Sequence, residues 1–221
     1  MIRDLIRVFG TKTKALEILY LIEDVKPVVR QGFYEDELGQ VEEFCRLNNL
    51  YIEKSDFKVI ILDAEDGRYS NKGIKLDLND PRRGMLFVYI SKDEKLAAAA
   101  NAYEFKNDHA NLGLTLGYPK CCVNFFVKYE PIQSKLTNDY IDLVFKNSKG
   151  VKFQFYTNIS KRDFDITLLN HFPCSFGCRF SIDLAKKHLD VLRKYDIKLA
   201  KEFINKLKCR VRIDGKEIEF C

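Results

Sequence analysis

The chain has 221 residues, 46% hydrophobic, 13% aromatic and 31% charged, with a formal net charge of +5. That composition can bury a genuine core, which excludes a disordered polymer. Its most apolar run, 96–102, is far shorter than the roughly 20 uncharged residues a membrane-spanning helix needs, which argues against a bilayer segment.

Residues 1–23 read as helical, with Ala15, Leu16, Leu19 and Ile22 on one face and Thr11 or Thr13 as a cap after Gly10. Pro27 stops the helix, and Val28-Val29 can open a short strand. A second helix is expected over 35–47, where Leu38, Val41, Phe44, Cys45 and Leu47 are helically spaced and Cys45 is a small core residue. The period then shortens. Tyr51-Ile52, 57–62, 74–78 and 85–90 read as strands of a small antiparallel or mixed sheet, separated by turn-rich segments that include Tyr69-Ser70-Asn71-Lys72-Gly73 and Asn79-Asp80-Pro81. Such turns carry polar groups able to meet an anion, but they are ordinarily only turns.

Helix resumes at Ser91, whose hydroxyl can cap while Glu94 reaches back, and continues to about Phe105. One or two turns over 107–116, a short helix from Pro119 to Tyr129, another over 138–147 and a strand at 151–156 follow. The stripe Ile182, Ala185, Leu189, Leu192, Leu199, Phe203 and Leu207, interrupted by Asp196, predicts one long amphipathic helix over 181–207. Asp214-Gly215 then turns a terminal hairpin. The expected fold is α+β, a single domain over 1–221 with a sheet-rich part about 24–90 and a cysteine-bearing helical part about 91–221.

Seven cysteines, an odd number, and an N-terminal stretch without a signal peptide's apolar segment fit a reducing, cytoplasmic setting. Four of them fall in two clusters, Gly117-Tyr118-Pro119-Lys120-Cys121-Cys122 and His171-Phe172-Pro173-Cys174-Ser175-Phe176-Gly177-Cys178. Each is introduced by an aromatic-proline pair. Proline favours the start of a helix, where free amides and the helix dipole stabilise thiolates. Cys174 and Cys178, four apart, can share a face, whereas adjacent helical residues point about 100° apart. Cys121 and Cys122 are therefore expected to compete for one position. Cys174, Cys178, one of that pair and His171 make a Cys3His set suited to zinc, with an iron-sulfur cluster as the next choice.

His171 can instead be a base, and Asp108-His109, just before the first cluster, can form an acid-base or ligand pair. His188 reads as part of a solvated helix face, and Cys209 and Cys221 as incidental. A metal site with an open position would be catalytic and a closed one structural, and two other functions compete with metal binding. Over 186–216 eleven Lys or Arg face four acids, a local excess that can hold nucleic acid or another polyanion, or can be a solvated face. Metal-free thiol redox chemistry is the other. Phosphate-loop, dinucleotide, nucleophile-elbow and radical-type motifs are all missing, so a small-molecule partner is not specified.

The run Asp108-His109 through Leu116-Gly117-Tyr118-Pro119-Lys120-Cys121-Cys122-Val123, with His171-Phe172-Pro173-Cys174-Ser175 through Cys178 and Ser181, resembles the mainly archaeal domain-of-unknown-function 483 family. The likeness takes in Tyr69-Ser70-Asn71-Lys72-Gly73 and Asn79-Asp80-Pro81 and runs from about residue 50 to 185. It implies an archaeal-type intracellular protein with these cysteine motifs as its hallmark, and no activity, fold or ligand.

Overall fold

A computed structural model describes residues 1–61 and 72–221. The turn at 69–73 lies largely outside the described residues. Among the described residues nine α-helices and two small sheets make an α+β fold. The first sheet is antiparallel, in the order β1 (Val28–Phe33), β4 (Met85–Ser91), β2 (Tyr51–Ile61), β3 (Gly73–Asp77). Two expected strands are joined in β2, whose register against β4 shifts between Lys54 and Lys58. Ser55 stabilises the irregularity: its hydroxyl donates to the Phe57 carbonyl and accepts from the Phe87 amide at 3.0 Å.

Strand side chains alternate between faces, and here both faces are covered. Val29, Val88 and Ile90 join the main core with α1 (Ile2–Phe9), α2 (Lys12–Ile22) and α3 (Glu35–Leu47). Val28 and Tyr89 meet Ala100, Leu112 and Leu116 from the second face, on α4 (Glu94–Phe105) and α5 (His109–Thr115) with the residue that ends it. Helices α6 (Lys120–Gln133), α7 (Ile141–Lys146), α8 (Arg179–Tyr195) and α9 (Ile197–Leu207) complete the second half. Its three-stranded sheet has the order β5 (Lys152–Phe153), β7 (Lys216–Phe220), β6 (Arg210–Ile213), with β5 and β7 parallel. The main buried cluster runs from Ile2 to Phe220 and draws on both halves. No helix among the described residues is long and apolar enough to cross a membrane.

Several boundaries differ from expectation for local reasons. The first helix is two. Gly10 ends α1 at φ +84°, and Thr11, extended, accepts the Lys14 amide at 3.2 Å and starts α2. The long C-terminal helix is likewise broken at Asp196, whose carboxylate accepts the Lys198 and Leu199 amides at 3.0 and 2.9 Å and caps α9. Asp93, not Ser91, caps α4; the Ser91 hydroxyl donates to the Pro27 carbonyl at 2.9 Å. The strand expected at 151–156 shrinks to two residues followed by a short 3-10 turn.

A long-range clamp holds the start of α2. Asp165, in the left-handed region at φ +58°, accepts the Lys12 amide at 2.6 Å, the Thr13 amide at 2.9 Å and the Thr13 hydroxyl. Charge-assisted bonds to a helix N-terminus exceed an ordinary cap. Asp165→Ala is expected to lower stability by about 2 kcal/mol, with only a part restored by Asn, whose one carbonyl oxygen replaces two charged acceptors, as read by urea unfolding.

Candidate metal centre

Each cysteine cluster is positioned by contacts outside itself. Asp108 caps α5 by accepting the Asn111 amide at 3.0 Å and its side-chain amide at 2.7 Å. Past α5 the chain reverses at Gly117, φ +81°, where an added Cβ would lie 2.7 Å from Pro27 Cδ. A side chain there meets both a rare backbone conformation and a rigid ring, so glycine sets the direction in which Tyr118-Pro119 enters α6. Pro119 is the N-cap, its carbonyl accepting the Cys122 and Val123 amides at 2.8 and 3.0 Å.

The second cluster is a loop pinned at its middle. Phe176 is fully buried against Phe153 and Phe220, its amide donates to Ser148 Oγ at 2.8 Å, and its carbonyl accepts from the Thr157 hydroxyl at 2.7 Å. Asn147 holds the Cys174 carbonyl at 2.6 Å. Cys178 is the N-cap of α8, with its carbonyl accepting the Ile182 amide at 3.0 Å. Cys174 precedes the helix, so its closeness to Cys178 comes from the loop and not from a shared helix face.

Together these elements bring the sulfurs of Cys121, Cys122, Cys174 and Cys178 within 4.8 Å of one another, a group able to hold a metal ion. Cys121 and Cys122 do not compete. Their sulfurs are 3.8 Å apart, and each lies 3.7 Å from Cys178 Sγ. The 100° rule applies to a target beside a helix. Helical side chains lean toward the N-terminus, and two in the first turn can converge on a point near that end.

Cys122 is the most enclosed of the four, 2% exposed, and its sulfur lies 3.3 Å from the Cys174 amide, which donates to it, and 3.2 Å from Ser181 Oγ. The Cys122, Cys174 and Cys178 thiols titrate together. Hydrogen bonds from Cys122 and Cys174 push Cys178 strongly down, and Cys122 is pushed up by its bonding with Cys174 and Cys178.

His171 stands behind this cluster, outside the four-sulfur group. Its Nε2 is 3.0 Å from Ser181 Oγ, linking the ring to Cys122 through one hydroxyl, and its buried Nδ1 has no partner among the described residues. Burial, reinforced by the Lys26 charge, lowers its pKa to about 3. His109 lies on α5 with Nε2 3.7 Å from Glu130 and its ring edge-on to Phe126. Asp108 is engaged as a helix cap, and its pKa is lowered chiefly by the Asn111 amide. Both histidines line a cleft of about 780 Å³, together with Tyr118 and Cys122; Asp108 is not among its lining residues.

His188 is buried, not solvated: 4% exposed, stacked on Tyr20 at 3.9 Å between centroids, with Nδ1 donating to the Leu168 carbonyl at 2.7 Å. The apolar stripe hid it because a neutral imidazole packs as an aromatic. Burial lowers its pKa to about 3 against 6.5 when free. Between those values the unfolded chain binds a proton the folded chain does not, so stability is complete above pH 6.5 and falls as the pH drops toward 3. His188→Gln is expected to flatten the pH dependence of urea unfolding by about 1.4 kcal/mol per pH unit between pH 6 and 4.

Cys45 is fully buried in the main core, where burial pushes its thiol up to about 12. In the basic C-terminal region Arg193, Lys194, Lys206 and Arg210 each lie within 3.4 Å of a carboxylate, on Asp190, Glu23, Glu202 and Glu217. The local excess of charge is partly neutralised by its neighbours. Nothing in the sequence assigns Ser181 a chemical role, and Arg30 and Lys75 on the cleft carry no signal in it, since only the fold makes them neighbours.

Fold and centre together define an α+β protein with a four-cysteine cluster compatible with a metal ion. Comparison with protein-family models, with curated proteins and with solved structures gives no match to this chain.

Proposed function

We propose that Cys121, Cys122, Cys174 and Cys178 hold one zinc ion as thiolates, and that the ion braces one wall of the adjoining cleft. The observation that carries this is the sulfur spacing. Thiolates about 2.3 Å from a single tetrahedral ion are about 3.8 Å apart, and the three closest pairs lie at 3.7 to 3.8 Å. An iron-sulfur cluster distributes its thiolates over several irons and needs a wider cage. The donors around Cys122, a hydroxyl and a main-chain amide, are those a metal-bound thiolate calls for.

Four thiolates fill a tetrahedron and leave no position for water, which is the arrangement of structural zinc. The ion would join the first turn of α6 to the loop that carries His171. His171 then acts on the centre only through Ser181. Membership of the domain-of-unknown-function 483 family, proposed on the motifs above, would make these four thiolates its shared metal site, and thiolate ligation suits the reducing cytoplasm.

Elemental analysis of protein purified without an affinity tag is expected to give one zinc per chain and no iron or inorganic sulfide. Freely titratable thiols with no bound metal would defeat the proposal. Ser181→Ala is expected to keep one zinc but lose it to a chromophoric chelator with an affinity about 10- to 100-fold weaker, the usual effect of removing a hydrogen bond to a ligand atom.

A further inference from the structure

We propose that the cleft beside the cysteine centre binds a small organic anion. Its ligand has a flat apolar body, an anionic group held by Arg30 and Lys75, and an N–H or O–H donor for His171.

The cleft lies on the second face of the first sheet, between strand residues Val59, Met85 and Phe87 and helices α5 and α6. Its volume, about 780 Å³, is within the roughly 300–1,000 Å³ of small-molecule sites. Met85 and Phe87 from β4 face Leu112, Val123 and Phe126 from α5 and α6 across it. Such walls suit an apolar, planar body.

One part of the lining is cationic. Arg30 stacks on Phe87, with its guanidinium carbon 3.9 Å from the ring centroid. Its Nε and Nη2 both go to the Glu104 carboxylate, the latter at 2.6 Å, and Nη1 is the donor this fork leaves over. Glu104 also accepts from the Tyr89 hydroxyl at 3.0 Å, so the pair is fixed and internally neutral. Lys75 adds the uncompensated charge. Its ammonium donates to the Glu104 main-chain carbonyl at 2.7 Å and to Asn107 Oδ1 at 2.8 Å, neither of them a carboxylate, and one donor is left over. The other lining carboxylate, Glu130, is 3.7 Å from His109 Nε2.

The donor requirement comes from His171, 7% exposed. This part rests on the zinc reading. With Cys122 a thiolate, the Ser181 hydroxyl donates to the sulfur and His171 Nε2–H donates to Ser181 Oγ. Nδ1 is then a bare acceptor on a ring that lines the cleft, buried and without a partner among the described residues. Leaving a buried acceptor unmatched is costly, and a ligand N–H or O–H would match it. The cationic anchor does not depend on the metal.

Anilinonaphthalene sulfonate has the required parts: an aromatic body, one N–H and one anionic group. Phenylnaphthylamine is the same body without the anion. In fluorescence titrations of the full chain the sulfonate is expected to saturate at one equivalent. Lys75→Glu should weaken it about tenfold or more and leave the neutral amine within twofold; Lys75 is exposed, so the variant folds. Because the chain has no tryptophan, Phe126→Trp places a single reporter on the cleft and Ile197→Trp one on α9. Only the first should be quenched by the bound probe. Displacement by 4-hydroxyphenyl phosphate or by 4-hydroxyphenylacetate, each with an O–H donor, then reads which anion is preferred.

Unchanged sulfonate affinity in Lys75→Glu, equal quenching of both reporters, or displacement by neither anion would overturn the proposal. Zinc is assayed on the same samples. A zinc-loaded chain without the probe site defeats the cleft proposal alone, and a metal-free chain with it defeats the zinc reading alone.

Discussion

Cys178→Ser protein is expected to retain less than a tenth of the wild-type zinc and to melt roughly 10 °C lower, by elemental analysis and calorimetry. Structural zinc contributes apparent binding energies of about 10–16 kcal/mol in isolated modules. In a chain that also has a large core, only the part tied to the centre is lost. A loss of about 4 kcal/mol is a conservative expectation, and at about 2–4 °C per kcal/mol for a chain of this size it gives the stated shift. Position 178 separates metal from helix effects. Cys178 is the N-cap of α8 and makes no side-chain cap bond, whereas serine is among the best N-caps. The substitution suits the helix start while removing a ligand, and a fall in melting temperature that follows the zinc content and exceeds the fall in Cys45→Ser reports the ion. Cys45→Ser is the control, because that thiol is fully buried away from the centre. It should lose stability by burying a hydroxyl and still carry a full equivalent of zinc.

Lys26→Met is expected to cost about 3–5 kcal/mol, the usual penalty for orphaning one member of a buried ion pair. Lys26 Nζ lies 3.1 Å from Glu17, with side chains only 5% and 8% exposed. Burial alone would lower the lysine pKa, yet the neighbouring Tyr118 and Glu17 raise it, so the ammonium stays charged inside the protein. Removing it strands the Glu17 carboxylate, which has only a 3.4 Å bond from Gln31 Nε2 in addition. In the double variant Lys26→Met with Glu17→Met neither charge is stranded, and at least half of the lost stability should return. Urea unfolding at pH 7 measures both. If the double variant were as unstable as the single one, the loss would be packing and not electrostatics. A second readout is independent: the Lys26 charge lowers both His171 and His188, so the single variant should raise their titration midpoints by NMR.

Where local periodicity decided the structure, the sequence was readable. The apolar spacing from Leu38 to Leu47 marked α3 at its observed bounds, and the two cysteine clusters announced themselves by composition. What stayed hidden was set by tertiary partners. Thr11 was named as a cap, but the carboxylate that completes the start of α2 comes from Asp165. Asp196 interrupts the apolar stripe, and an aspartate before Ile-Lys-Leu is itself a helix-start signal. Helix geometry alone sets Cys121 against Cys122, and it cannot say that the partner loop approaches the helix end. The Arg30–Glu104 and Lys26–Glu17 pairs span 74 and nine positions, and nothing in the local pattern marks either as buried.

The clamp on α2 bears on the order in which the protein is made. Helix α2 emerges early, yet its first amides wait for a carboxylate about 150 positions further along, and its Tyr20 waits for the ring of His188. At synthesis rates of about 5–20 residues per second, that is roughly eight to thirty seconds on the ribosome. During this interval the apolar faces of the amino-terminal helices lack their final cover. Helix α2 is thus exposed to chaperones and proteases until the stretch from Asp165 to His188 has been made.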